Sequence, residues 1–266
     1  MGAHINLALA LSLLPAEQTQ LDRRLRVGIL DLDIFGPSIP KLMRLERAGE
    51  PALSDAGSLL PLTNHGVPSM SMGYLLPPAA RAGDVSDAPI VWRGLMVQKA
   101  TQQLLFEVDW RAASPAQEPL DVLVIDMPPG TGDVALSLTQ LVELDAALVV
   151  STPQEVALID ARRGVRMFQK VDVKIAGLVL NMSHFVSPTD GASFPLFGPP
   201  HAFDALASEL GAPVLARVPL EPHVAAAGDA GQPAVLGGGG AGQSETVFLE
   251  LGRRVWAGLA PGKVDC

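Results

Sequence analysis

Cysteine is nearly absent from this 266-residue chain: the single one is Cys266, so no disulfide can form within the chain, and a reducing compartment fits. Charged residues make up only 18% of the sequence, with a net charge of −9. This acidic balance argues against binding to nucleic acid or to anionic lipid. No apolar run approaches the roughly 18–20 residues that span a bilayer. The run at residues 5–14 lacks a basic leader and a cleavage site, which favours a buried amphipathic helix over a signal peptide.

Hydrophobic residues are plentiful at 48%, and short apolar runs rich in β-branched residues alternate with helical patterns. We predict strands at residues 25–32, 67–72, 120–125, 146–151, 175–180 and 213–218, and helices at residues 95–107, 134–142, 155–170, 201–210 and 244–259. Several strands are almost entirely apolar, as expected where helices cover both faces of a sheet. The alternation predicts a single α/β domain with a parallel β-sheet flanked by helices, and a flexible glycine linker at residues 237–242 before the last helix.

The segment LDVLVIDMPPGTGD at residues 120–133 carries the strongest chemical signal. A buried strand ends in Asp126, and ligands of parallel sheets gather at the carboxyl ends of the strands. A carboxylate there can hold Mg²⁺ through water. Gly130 and Gly132 leave room for backbone N–H groups to approach a phosphate. The alternative is a strand-end aspartate that caps the helix at Val134 after an ordinary turn.

A second pair of carboxylates, Asp31 and Asp33, ends another apolar strand in LDLDIFGPSIPKL at residues 30–42. One of them could orient an attacking water, or the outer ligands of Mg²⁺, near a γ-phosphate. The alternative is a solvated turn between a strand and a loop, where aspartate is common.

Seven segments occur in one order along the chain: DLDIFGPSIPK, MSMGYL, VWRGLMVQKA, VDW, LDVLVIDMPPGTGD, STPQEVALIDARRGVRMF and GLVLNMS. Together they resemble the Mrp family of ATP-binding iron–sulfur carriers, and RGLMV is similar to its mitochondrial branch linked to assembly of respiratory complex I. The resemblance implies a deviant Walker A P-loop ATPase fold, ATP and Mg²⁺ as ligands, and a homodimer. It also implies delivery of a 4Fe–4S cluster to apo-proteins, and location in the mitochondrial matrix, with the cytoplasm as the alternative.

The same resemblance implies individual roles for five residues and one loop. Asp33 matches the switch-one aspartate near the hydrolytic water, and Asp31 matches its partner. Asp126 matches the Walker B aspartate that holds Mg²⁺, and Gly130 the switch-two glycine near the γ-phosphate. Asn181 matches the asparagine that faces the adenine, and the loop from Pro219 to Glu221 should close over the same base.

Two departures from the family pattern affect the expected chemistry. The family's phosphate-binding loop precedes the helix that contains Asn6, but here Met1 stands where that loop's serine should be. We therefore expect a fold without the first strand and the phosphate loop, and a gap between the strands at residues 120–125 and 146–151. In addition, Ser187 and Asp190 stand where the family has the two cysteines that ligate the cluster, so the resemblance provides no iron–sulfur ligands here.

These departures keep several alternatives open. The chain could be a non-catalytic pseudo-ATPase that only dimerises or binds a client, or the product of an incomplete gene model. A partitioning or septum-positioning ATPase of the same fold is a further possibility, although the segments quoted above count against it. Whether this polypeptide hydrolyses ATP is left open by the sequence.

Overall fold

The computed structural model describes residues 2–33, 36–75, 94–128, 130, 133–187, 189–237 and 242–259. The helices are α1 (Ala3–Ser12), α2 (Ala16–Thr19), α3 (Ile39–Leu42), α4 (Gly94–Phe106), α5 (Asp133–Leu141), α6 (Glu155–Lys170), α7 (His201–Leu210), α8 (Pro222–Asp229) and α9 (Gln243–Leu259). The strands are β1 (Val27–Asp31), β2 (Leu62–Asn64), β3 (Val67–Ser71), β4 (Val122–Asp126), β5 (Ala147–Ser151), β6 (Ile175–Leu180), β7 (Phe185–Val186), β8 (Ser193–Phe194) and β9 (Val214–Arg217). All six predicted strands and all five predicted helices are present within two residues of the predicted bounds.

The strands form two main sheets. One has the order β2-β3-β1-β4, and the other has the order β5-β6-β9. All pairings in these sheets are parallel except the one between β2 and β3. A mostly parallel sheet with helical crossovers confirms the predicted α/β class. The predicted parallel sheet nevertheless carries an antiparallel edge strand, β2, which is too short for its sequence to predict.

Strand β1 lies between β3 and β4 in the first sheet, and all five of its residues are buried. Its ladder to β4 runs in register from Val27 opposite Val122 to Asp31 opposite Asp126. On its other side Asp31 lies opposite Ser71 of β3. The carboxyl ends of three parallel strands therefore meet at one edge of the sheet.

Helices α1 and α9 pack against each other and cover both sheets. Helix α1 contacts β1 and β4, whereas α9 contacts β6 and β9. The two helices approach closely at Gly252, where an added Cβ would lie 2.9 Å from the Cβ of Ala10. The absence of a side chain at Gly252 thus lets this helical layer extend across both sheets.

The second sheet has helices on both faces. Val179 of β6 belongs to the main core beneath α1 and α9, whereas Leu178 and Leu180 pack with α6 and α7 in a second cluster. This alternation follows the two-residue period of a β-strand. No helix in the described ranges is both long enough and apolar enough to cross a membrane.

The two sheets are separate between β4 and β5. Strand β4 is hydrogen-bonded to β1, β5 is hydrogen-bonded to β6, and each is the last strand of its sheet. These are the two strands that were predicted to border a gap. The described chain therefore has two sheet edges at the place where the family resemblance puts a continuous sheet.

Candidate functional site

Two carboxylates lie next to each other at the carboxyl edge of the first sheet. Asp31 ends β1 and Asp126 ends β4, and the two residues are direct partners in the parallel ladder. The backbone N–H of Leu32 continues the ladder by donating to the carbonyl oxygen of Asp126 at 2.9 Å. The sequence predicted that both would lie at strand ends, and the structure brings them together.

Asp31 is fully buried, with 0% of its surface exposed. The hydroxyl of Ser71 donates to its Oδ2 at 2.8 Å, and the N–H of Asp33 donates to its Oδ1 at 2.9 Å. Burial, and to a smaller extent the charge of Asp126, raises the pKa of Asp31 to about 6, although the two hydrogen bonds and His4 act in the opposite direction. Both oxygens are thus engaged within the protein, and Asp31 fixes the start of the following loop.

Asp126 is more accessible, with 26% of its side chain exposed. Its Oδ2 lies 3.2 Å from Nδ1 of His4 on α1, and Nε2 of His4 is buried without a hydrogen-bond partner. Among the described residues, no group of three or more histidine, cysteine, aspartate or glutamate side chains could hold a metal ion. One partly exposed carboxylate fits Mg²⁺, which commonly keeps several waters and takes one or two carboxylates together with substrate phosphates.

Asp33 and Gly130 flank this carboxylate edge. Asp33 is partly buried, and its Oδ1 accepts the N–H of Gly36 at 3.3 Å. Gly130 has φ +90°, and an added Cβ would meet nothing within 4 Å. Its exposed backbone lies in the left-handed region that glycine favours. Residues 129, 131 and 132 of the same turn lie outside the described part of the chain. The catalytic role of Asp33 and the phosphate-binding role of Gly130 stay predictions.

Asn181 follows β6 at the carboxyl edge of the second sheet. Its N–H donates to the carbonyl oxygen of Ser151 at 2.7 Å, and its Oδ1 accepts the N–H of Met182 at 3.0 Å. The amide group is therefore fixed by a local turn. Its predicted contact with a base stays a prediction.

A cavity of about 230 Å³ lies beside this turn. Its lining includes Asn6 of α1, Leu42 of α3, Met182, Leu220 and Glu221. Its volume is below the roughly 300–1,000 Å³ of a typical ligand pocket. Within the loop of residues 219–221, Leu220 and Glu221 line the cavity, and Pro219 is buried.

Glu221 also caps the first turn of α9. Its two carboxylate oxygens accept the N–H groups of Gln243 and Ser244, each at 2.9 Å. Burial opposes ionisation, but the hydrogen bonds from Ser244 and Gln243 outweigh it and hold the pKa of Glu221 below its usual range. The sequence pattern did not indicate this cap, which joins residues more than twenty positions apart.

Ser187 and Asp190 lie in the turn of the β7–β8 hairpin. The Ser187 hydroxyl is 3.0 Å from that of Thr189, and Asp190 Oδ1 accepts the N–H of Ala192 at 3.1 Å. Hydrogen bonds from Ser187 and Ala192 hold the pKa of Asp190 below its usual range. These oxygens are poor substitutes for the soft thiolates that bind iron–sulfur clusters, so the described turn does not fit a cluster.

The sequence analysis assigned no role in the site to two residues that contribute to it. Ser71 reaches Asp31 across 40 residues of sequence, and His4 reaches Asp126 from another helix. Neither lies within a motif whose spacing indicates a pair. Only the strand order and the packing of α1 bring them to the carboxylates.

Comparison with known proteins identifies the family. Residues 4–255 match the family model described as NUBPL iron-transfer P-loop NTPase. The chain is 44% identical over 251 residues to the mouse iron–sulfur cluster transfer protein NUBPL, covering 94% of this chain and 70% of the relative. A second relative, from Arabidopsis thaliana, is named "Iron-sulfur protein required for NADH dehydrogenase, mitochondrial". The chain is 39% identical to it over 255 residues, which cover 96% of this chain and 73% of the relative.

A solved structure agrees with this assignment. The nucleotide-binding protein of Archaeoglobus fulgidus in complex with ADP superposes with a TM-score of 0.65 at 30% identity, covering 86% of this chain and 79% of that one. The predicted family and the P-loop class of the fold are thereby confirmed. The chain belongs to the NUBPL iron-transfer family of P-loop NTPases.

Proposed function

We propose that this chain is a nucleotide-binding component of iron–sulfur cluster assembly that serves the transfer of 4Fe–4S clusters to apo-proteins. We further propose that it acts as a homodimer in mitochondria and supports assembly of NADH dehydrogenase. The observation that carries this proposal is the in-register pair of Asp31 and Asp126 at the carboxyl edge of a chain whose residues 4–255 match the family. Relatives named for cluster transfer and for mitochondrial NADH dehydrogenase support this proposed role.

In this proposal the two halves of a nucleotide meet different parts of the site. Asp126 would hold Mg²⁺ through water, and the ion would neutralise phosphate charge. Asp33 would orient the attacking water, with Asp31 holding the loop that carries it, and the backbone of Gly130 would approach the γ-phosphate. Asn181 and the loop from Pro219 to Glu221 would face the base.

The cluster is the cargo of this proposed activity. The described hairpin turn offers the oxygens of Ser187 and Asp190 and no thiolate. A second candidate function follows from this observation: the chain is a non-catalytic interaction module that binds clients or partners of the family. The two candidates differ in whether Asp126 is needed.

Genetic rescue tests the proposal. The chain is expressed in the mitochondria of cells that lack their own NUBPL-type protein, and NADH dehydrogenase activity is measured at matched protein levels. We expect the unaltered chain to restore activity and Asp126→Asn to restore far less, because the amide is a much weaker partner for a hydrated cation. Asp172→Asn is the matched control, since Asp172 is exposed and precedes the amino end of β6, whereas the site lies at the carboxyl ends of the strands.

The outcomes separate the candidates. Rescue by the unaltered chain and by both variants would favour the interaction module. Failure of the unaltered chain to rescue, while it accumulates as a folded protein, would contradict both candidates for this process.

A further inference from the structure

Two buried serines lie on the same side of β3, Ser69 and Ser71, and neither has any exposed surface. The Ser69 hydroxyl lies 2.8 Å from the hydroxyl of Tyr74 and donates to the carbonyl oxygen of Leu62 at 3.2 Å. The Ser71 hydroxyl instead donates to Oδ2 of Asp31, its neighbour in the parallel ladder, at 2.8 Å. Of the two serines, Ser71 is therefore the one that reaches the carboxylate edge.

The oxygen of Ser71 also accepts a hydrogen bond. The N–H of Gly73 donates to it at 2.9 Å, and Gly73 belongs to the 3₁₀ helix Met72–Leu75 that follows β3. On the other side of the carboxyl group, Oδ1 of Asp31 accepts the N–H of Asp33 at 2.9 Å. A continuous chain of three hydrogen bonds thus runs from Gly73, through two buried side chains, to the backbone of Asp33.

The same 3₁₀ helix also packs tightly against the segment that leads from Asp33 into α3. A Cβ added to Gly73 would lie 2.6 Å from Cγ of Pro40 and 3.0 Å from Cβ of Pro37, so there is no room for a side chain. The loop is therefore held to the 3₁₀ helix twice, by the polar chain at its start and by this close packing at its end.

We infer that Ser71 is a positioning residue, which fixes the place of Asp33 by joining the Asp31 carboxylate to the 3₁₀ helix Met72–Leu75. A hydroxyl has one hydrogen, and because the Ser71 oxygen accepts from Gly73, that hydrogen is directed to Asp31. With both of its oxygens engaged, the Asp31 carboxylate gives the N–H of Asp33 an acceptor in a fixed position.

The position of the Asp33 backbone determines where its own carboxylate lies. Its Oδ1 accepts the N–H of Gly36 at 3.3 Å, so the start of the loop is closed on itself. The inference rests on the proposed function in one respect, namely that the Asp33 carboxylate orients the attacking water. The placement of Asp33 by Ser71 can be tested without nucleotide.

Four variants separate positioning from general stability. Ser71→Ala removes the donor to Asp31 and the acceptor of the Gly73 N–H together. Ser69→Ala is the matched control, because it removes a hydroxyl of the same strand and the same burial without touching Asp31. Ser71→Thr keeps the hydroxyl, and threonine is favourable in a strand. Gly73→Ala keeps the hydroxyl but displaces the loop through its close contacts with the two prolines.

Hydrogen exchange read by NMR on the purified chain reports on the amides of Asp33 and Gly36. In Ser71→Ala we expect both to exchange at least about tenfold faster than in the unaltered protein, which corresponds to about 1.4 kcal/mol. Gly73→Ala should accelerate them as well. Ser69→Ala should leave them unchanged, and Ser71→Thr should return them to the rates of the unaltered protein.

The rescue of NADH dehydrogenase activity measures the functional consequence. At matched protein levels, Ser71→Ala should restore far less activity than Ser69→Ala, and Ser71→Thr should recover most of it. If the unaltered chain fails to rescue, the proposed function fails, whereas the exchange rates still decide whether Ser71 places Asp33.

Three results would overturn the inference. The first is unchanged exchange at Asp33 and Gly36 in Ser71→Ala. The second is equal acceleration in Ser69→Ala, or no recovery in Ser71→Thr, because either would show that the effect does not come from the hydroxyl bound to Asp31. The third is equal rescue by Ser71→Ala and Ser69→Ala, which would show that the place of the loop has no functional consequence.

Discussion

Burial of the Asp31 carboxyl should lower the stability of this protein at neutral pH. The pKa of Asp31 rises from 3.8 to about 6 on folding because the group is removed from water. Between these values the folded protein binds more protons than the unfolded chain, so the free energy of unfolding falls as pH rises through this window. The full destabilisation is present above about pH 7.

The magnitude follows from the size of the shift. A rise of about two pKa units, at 1.36 kcal/mol for each unit, corresponds to about 3 kcal/mol. Asp31→Asn cannot ionise, and its amide can still accept the N–H of Asp33 and donate to the hydroxyl of Ser71. We subtract the free energy of unfolding of the unaltered protein from that of the variant at each pH. We expect this difference to increase by up to about 3 kcal/mol between pH 4 and pH 7.5.

Urea unfolding at several pH values measures this difference directly. EDTA in every sample keeps divalent cations away from Asp126. Asp172→Asn serves as the control because Asp172 is exposed, and asparagine tolerates its positive φ of +59°. A difference between Asp31→Asn and the unaltered protein that stays constant with pH, or that decreases as pH rises, would refute the assignment of a raised pKa.

Three further changes test other parts of the structure. Glu221→Gln should lower the free energy of unfolding by about 1–2 kcal/mol, because charge-assisted hydrogen bonds to the first turn of α9 become neutral ones; urea unfolding that shows no change would contradict the cap. Gly252→Ala should destabilise the protein by about 1–3 kcal/mol through overpacking against α1. Gly164→Ala in α6, where the new Cβ meets nothing within 4 Å, should instead stabilise the protein by up to about 1 kcal/mol. Thermal unfolding compares the two variants, and equal effects would refute the tight contact between α1 and α9. The 266-residue chain should hold no stable 4Fe–4S cluster after anaerobic reconstitution, and Ser187→Cys with Asp190→Cys should increase bound iron and sulfide; near-stoichiometric iron in the unaltered chain would contradict the poor fit of the turn.

The helices and strands were predictable from the sequence where a long segment has a clear hydrophobic pattern. The helices at residues 155–170 and 201–210 match their predicted bounds because their apolar positions recur at helical spacing and bury one face. The main strands were recognised because their β-branched runs are buried on both faces. By contrast, β2, β7 and β8 have two or three residues each, and such short elements depend on pairing with distant neighbours.

The sequence predicted only those site residues whose place follows from the direction of the parallel strands. The carboxyl ends of neighbouring parallel strands meet at one edge, so Asp31 and Asp126 could be expected to lie close together. The sequence contains no comparable rule for His4, for Ser71 or for the cap formed by Glu221. Those contacts arise from the packing of α1, the position of β3 and the placement of the loop before α8.

The two central aspartates illustrate how burial separates identical side chains in one ladder. Asp31 has no exposed surface, and both of its oxygens accept hydrogen bonds from the protein. Asp126 is its direct partner in register, yet 26% of its side chain is exposed, and its Oδ2 lies 3.2 Å from Nδ1 of His4. A ligand arriving from solvent can therefore reach Asp126 without breaking the contacts of Asp31. This difference is why we expect substitution of Asp31 to change chiefly stability and its pH dependence, and substitution of Asp126 to change chiefly the response to a hydrated cation.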